Sequence, residues 1–270
     1  MTPRLRRAGR AYRAYVRTSM AVSVQYRAGI FSATAVMVVW VLLLTRVWTA
    51  VYHGRSAVAG FDLHTTVVYL TLANLQAAVI NSPLSYVMAF RIRSGEVLFD
   101  VSRPIGYPGQ MLALQAGQSL VQAAVVLLAA PLAGLAGGLS GPAGVAAGLT
   151  YPIALLLGWV LNALLALLVG LSAFWTVDNQ GFATLFRFVA AFLAGASVPL
   201  AFLPGPLRLA AELLPFRFIV YQPAAVYIGQ IRGPAIAGNL ALAVAWIGVL
   251  TALVAVVWRR AYRRMVAHGG

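Results

Sequence analysis

The chain contains no lysine and no cysteine, and only five of its 270 residues are acidic. Each shortage excludes something. A Walker-type phosphate loop needs its lysine to reach the nucleotide, so this chain cannot by itself be an ATPase of that design. The missing cysteine leaves no mark of redox compartment. The carboxylates, Asp62, Glu96, Asp100, Asp178 and Glu212, sit at loop or surface positions, and no two of the histidines His53, His64 and His268 share a helical face at ligand spacing. Catalysis or metal binding at membrane depth would need such groups clustered.

What remains is oil and arginine. The composition is 61% hydrophobic and 9% charged, with a mean hydropathy of +0.86, more apolar surface than a soluble core can hide. Apolar segments of about 20 residues match the hydrocarbon thickness of a bilayer. The sequence therefore predicts an all-α integral membrane protein. A net charge of +15 is compatible with nucleic-acid binding in principle. The arginines, however, stand beside apolar segments and do not form a patch on a soluble face, so no nucleic-acid partner is expected.

In chain order, residues 4–20 carry Arg6, Arg10, Arg13 and Arg17 on one helical face and Leu5, Ala8, Tyr12, Tyr15, Val16 and Met20 on the other. That pattern predicts an interfacial amphipathic helix. Six spans follow, at about 28–48, 63–90, 110–135, 145–176, 182–203 and 234–258. The second holds Asn74, Gln76, Asn81 and Pro83, and the third carries Gln115, Gln118 and Gln122 on one stripe. These amides either line a path or bond neighbouring helices. Small residues Gly158, Ala163, Ala166 and Gly170 favour close helix contact in the fourth span. Between the third and fourth spans, Gly138-Leu139-Ser140-Gly141 matches a GxSG protease pattern. No histidine base is placed to serve that serine, and the segment reads as a glycine-rich turn. Asp178-Asn179-Gln180-Gly181 predicts a tight polar turn between the fourth and fifth spans. Arg187, just inside the fifth span, is near enough to snorkel to the headgroups. Pro204, Pro206, Pro215 and Pro223 break residues 204–233 into pieces too short to cross a membrane. A re-entrant or surface-lying helix pair is expected there.

The charged island at 91–108 organises the rest. It holds Arg91, Arg93, Glu96, Asp100 and Arg103 between apolar spans, so it must face water. Helical spacing places Val97, Leu98 and Val101 on one stripe and Glu96, Asp100 and Arg103 on another, bounded by Gly95 and Pro104. The pattern predicts a two- or three-turn helix whose apolar stripe docks on a partner. With six spans, the side holding both termini and the island collects fourteen of the twenty arginines. The positive-inside rule makes that side cytoplasmic and puts 204–233 outside.

This layout resembles the type-2 permease subunits of ATP-binding-cassette (ABC) exporters, which have a basic elbow helix, six spans, a coupling helix in the first cytoplasmic loop and a broken hairpin before the last span. Ile92, Ser94, Gly95, Asp100, Arg103 and Pro104 are similar to the loop of a bacterial subgroup, and Leu203-Pro204, Leu214-Pro215-Phe216 and Gln222-Pro223 resemble that class's outer hairpin. The resemblance implies a single permease domain over 1–270, coupling through Gly95, Glu96, Val97, Leu98, Asp100, Val101, Arg103 and Pro104, and a place in the bacterial cytoplasmic (inner) membrane. It implies a second permease chain, identical or related, and separate ABC ATPase subunits that bind the ATP and magnesium, with no cofactor in this chain. A path of amides, aromatics and aliphatics suits an amphiphile such as a lipid, drug or secondary metabolite better than an ion. The readings from other classes are an intramembrane lipid-modifying enzyme or protease, and a channel or scaffold subunit without an ATPase.

Overall fold

The structure, a computed structural model, describes residues 3–25, 27–58, 60–103, 105–135, 138–176 and 179–268. Pro104 and Asp178 lie outside the described residues, as do the side chains of Leu5 and Arg6. The helices are α1 (Pro3–Gln25), α2 (Arg27–Val51), α3 (Leu63–Ile80), α4 (Leu84–Arg93), α5 (Val97–Val101), α6 (Tyr107–Leu135), α7 (Val145–Leu171), α8 (Gln180–Leu193), α9 (Gly205–Leu213), α10 (Tyr221–Tyr227) and α11 (Pro234–His268). Among the described residues the β structure is a single bridge between Val58 and Phe61.

Among the described residues four stretches are long and apolar enough to cross a membrane: Leu63–Arg93, Tyr107–Leu135, Val145–Phe174 and Pro234–Met265. The region expected as the first span is the 25-residue α2, whose described side chains include the apolar stretch Val38–Val51, and the region expected as the fifth holds the shorter apolar stretch Gln180–Leu193. At 14 residues α8 is about 21 Å long, short of roughly 30 Å of hydrocarbon. It stops at a turn in which Gly195 takes a φ of +75°, a conformation glycine tolerates without a Cβ penalty. The Tyr69 hydroxyl donates to the Gly195 carbonyl (2.7 Å), and the Tyr221 amide donates to the Ala194 carbonyl (2.9 Å).

α7 is the central helix, packed by α4, α10 and α11. Its Leu161, Leu167 and Leu171 share a core with Leu70, Met88, Tyr107 and Met111. The small residues of α7 serve contacts within the chain: Gly158 lies under the backbone of Phe218 and Ile219, and Gly170 under Met88. At the end away from the island, Trp48, Phe61, Tyr69, Phe202 and Tyr221 form a connected set of ring contacts. The 204–233 segment folds at that same end. α10 is buried against α7 and α3, the Ala143 amide donates to the Tyr227 carbonyl (2.9 Å), and α9 leaves Leu207, Leu209 and Leu213 exposed. Pro215 starts a one-turn 3-10 helix, Pro204 precedes α9, and Pro223 lies in the first turn of α10, where a missing N–H costs nothing.

The expected interfacial helix is in part a packing partner. From residue 12 to 23, α1 runs beside the first half of α6 in the same direction. Gly109 admits the Tyr12 ring and Gly117 admits the backbone at Val16 and the Ser19 side chain, while Ser19 Oγ donates to the Leu114 carbonyl (2.6 Å). Arg10, Arg13 and Arg17 remain exposed on the opposite face.

The expected second span is two helices. α3 ends at Ile80 and α4 starts at Leu84, with Asn81, Ser82 and Pro83 between them. Proline cannot donate into a helical ladder, and carbonyls freed within a membrane must find other donors. Asn162 Nδ2 on α7 donates to the Ile80 carbonyl (2.8 Å). Ser82 Oγ accepts from the Leu84 amide (3.1 Å) and donates to Gln115 Oε1 on α6.

Candidate functional site

The island forms a cap at the end of the bundle. α4 closes at Ser94, Gly95 turns the chain with a φ of +77°, and α5 follows with five residues, about one and a half turns. It is shorter than the helix expected from the sequence, and it faces differently. Val97 is 3% exposed and packs in the core, Val101 is half-buried, and Asp100 is 1% exposed. Leu98 and Phe99 point outward, at 57% and 73%. Positions 97 and 100 share a face in so short a helix, and that face is drawn inward by Arg91. The expected stripe of Val97, Leu98 and Val101 is thus divided, with Val97 buried and Leu98 exposed beside Phe99, and Asp100 is an internal strut where a rim charge was expected.

The strut reaches three elements. Arg91 Nε on α4 donates to Asp100 Oδ2 (3.0 Å), and its other end reaches Glu96 (3.5 Å). Arg103 stands 3.9 Å from Asp100 Oδ1. Burial pushes the Asp100 carboxyl above the usual carboxylate range, and Arg91 and Arg103 pull it partly back. Gln110 of α6 donates through Nε2 to the carbonyls of Asp100 and Ile105, both at 2.7 Å. Its Oε1 accepts from the Tyr15 hydroxyl of α1 (2.7 Å), which accepts in turn from Arg103 (2.5 Å). Glu96 and Arg103 keep half-exposed side chains beside Leu98 and Phe99.

Phe99 and Gln110 were not singled out in the sequence, and Tyr15 was read there only as part of the less polar face of α1. Phe99 lay in plain view inside the island, and the inward turn of Val97 and Asp100 brings it outward. Gln110→Leu strands the Ile105 carbonyl and the Tyr15 hydroxyl proton and leaves the Asp100 carbonyl with backbone donors alone, the Arg103 N–H (3.3 Å) among them, at a cost on the order of 2 kcal/mol. Amide hydrogen exchange should accelerate across 97–103 while α7 keeps its protection. Equal exchange in the variant would show that the network does not hold α5.

The amides separate into two groups. Asn74 Nδ2 donates to the Leu70 carbonyl one turn back (2.7 Å), and Gln115 joins Ser82 to Ser119 (3.2 Å), which also receives the Trp159 indole N–H (2.8 Å). Gln76 is buried with neither amide atom paired, as is Gln222 of α10. Asn81, Gln118 and Gln122 instead line a polar cleft of about 410 Å³, shared with Ser23, Tyr86 and Arg187. Asn81, Ser82 and Arg187 also border a second cleft, of about 320 Å³, whose other walls are mostly apolar.

A helical bundle with several apolar spans, a braced, outward-facing cap and clefts at a helix break fits an integral membrane protein. The chain belongs to the ABC-2 family of transporter proteins: the model of that family, described as ABC-2 family transporter protein, matches residues 35–269. No curated protein matches the chain. Membership defines it as a membrane-embedded transport component.

Proposed function

We propose that the chain is the permease subunit of an ABC exporter for an amphiphilic substrate, catalytically inactive itself and driven by ATP hydrolysis in separate subunits docked on α5. The observation that carries this reading is the exposed Leu98–Phe99 pair on a helix braced from α1, α4 and α6, in a chain of the ABC-2 family that has no lysine for a phosphate loop. Docking of a short rigid helix into a partner's groove passes motion across the interface. Glu96 and Arg103 at its rim contribute more to recognition than to affinity. ATP and magnesium belong to the partner. A second permease chain completes the pathway, and lipids contact the remaining apolar surface. Only 17% of the most apolar part of α11 is buried within this chain, which leaves that helix free for either neighbour.

The likeness to bacterial permeases suits a bacterial cytoplasmic membrane, and the arginine asymmetry supports both termini and the island being cytoplasmic and 204–233 external, folded as a re-entrant plug. The chain has no cysteine, so single-cysteine labelling reads this directly. A cysteine at the exposed Ser94 should react with a membrane-impermeant maleimide only after cells are opened, and one at Leu209 should react in intact cells. The reverse pattern would invert the topology. The reading as a whole is tested by co-purification of an ABC ATPase with the tagged chain; a permease isolated repeatedly without one, with intact α5, would refute it.

A further inference from the structure

Arg187 has no role in docking α5. It lies seven residues into α8, about 10 Å along the helix axis from Gln180. Charge at such depth is costly unless something pairs with it. Among the described residues no carboxylate pairs with Arg187. Its guanidinium is turned across onto Tyr86 of α4, 5.6 Å from the ring centroid, and sits 5.8 Å from the Phe188 ring. Tyr86 is itself fixed, sharing a hydrogen bond of 2.9 Å with Thr184 of α8. The cation is thus held at the boundary of the two clefts.

The two clefts differ in kind. One side offers the amides of Asn81, Gln118 and Gln122, and no acidic residue lines it. The other is walled by Ile80, Val169, Phe186 and Ile219, and alanines on α8 keep that helix from filling it. A cation beside amide donors, opening onto an apolar slot, is complementary to a molecule with an anionic head and a hydrocarbon body.

We infer that this paired cleft binds an anionic amphiphile, with Arg187 taking its charged group and the slot between α3, α7 and α8 taking its chain. As the identity of a transported substrate this rests on the permease reading; as a binding property it stands on the chain alone. The occupant is either a lipid of the surrounding bilayer or a single-chain solute on its way through.

The test is native mass spectrometry of the full chain released from detergent in equimolar dioleoyl-phosphatidylglycerol and dioleoyl-phosphatidylcholine. The wild type should retain the anionic lipid about tenfold over the zwitterionic one, the size of one charge-assisted contact. Arg187→Gln, at an exposed position, should bring that ratio close to one, and Arg187→Lys should keep part of it. Ala190→Trp, which fills the slot and leaves the cation, should also lower it; a charge acting only at the surface would be indifferent to that change. Dodecyl phosphate then separates the sources: displacement of the lipid at matching concentration assigns the site to a single-chain solute, and failure to displace assigns it to a two-chain lipid. No preference in the wild type, or an undiminished preference in Arg187→Gln, overturns the inference. Neither result depends on an ATPase, so failure here leaves the docking role of α5 standing, and loss of ATPase association leaves this site standing.

Discussion

Removing Phe99 and Leu98 together should abolish recovery of the ATPase with the permease, while the permease itself inserts and purifies as before. Both side chains are exposed in the isolated chain, so truncation to alanine removes nothing from the core. An aromatic anchor buried on docking is worth about 2 kcal/mol or more, and a leucine adds a comparable amount. The pair thus shifts association on the order of a thousandfold. Val97→Ala is the informative contrast. Val97 is 3% exposed, so its truncation should lower the thermal stability of the permease by about 1 kcal/mol and leave association close to normal. Co-purification and substrate-stimulated ATP hydrolysis, set beside melting in detergent, separate the two effects. Should Val97→Ala abolish association and Phe99→Ala leave it intact, α5 would be facing the other way when docked.

The second large effect concerns the close approach at Gly158. A Cβ there would lie 2.6 Å from the Phe218 carbonyl oxygen and 2.8 Å from that of Ile219, both backbone atoms of the turn that leads into α10. Backbone in a buried turn cannot swing aside as a side-chain tip can. Gly158→Val should therefore cost about 3 kcal/mol or more, enough to displace α10 from α7 and reduce the yield of monodisperse protein. Gly248→Val on α11 is the control, since a Cβ there meets nothing within 4 Å. Size-exclusion profiles and melting temperatures of the two variants give the comparison. Equal behaviour would mean that α10 is not seated on α7 as described.

The long apolar spans were legible because length and composition alone decide them; Tyr107–Leu135, Val145–Phe174 and Pro234–Met265 lie close to where hydropathy places them. α8 was not legible. Its apolar sequence runs on past Leu193, and what stops it is the approach of Tyr69 and Tyr221 from distant parts of the chain. The break at 81–83 was signalled by Pro83, but its hydrogen-bond partners, Asn162 and Gln115, belong to other helices and carry no local mark. The island shows the same division. Its position and charged character were readable, whereas the inward turn of Asp100 depends on Arg91 and on Gln110, and periodicity alone does not say which of two mixed faces a five-residue helix will bury. The stripe of Gln115, Gln118 and Gln122 was read as a unit, yet Gln115 turns to Ser82 and Ser119 while the other two face a cleft.

The interruption between α3 and α4 has a mechanical meaning. Across Asn81, Ser82 and Pro83 the backbone ladder is interrupted, with Ser82 capping the Leu84 amide and Asn162 of α7 serving the Ile80 carbonyl, so bending there need not break a continuous ladder. α3 is anchored by the aromatic cluster at one end of the bundle, and α4 carries in its last turn Arg91, which grips α5. α4 is thus an arm about 15 Å long with a pivot at Ser82 and a handle at Phe99. A swing of about 10° would carry the handle on the order of 3 Å, as simple lever geometry on that helix length requires. The pivot also borders both clefts through Asn81 and Ser82. Any such stroke would reshape the walls around Arg187 as it moved the cap, so that force applied at one end of the chain would change the width of the slot within it.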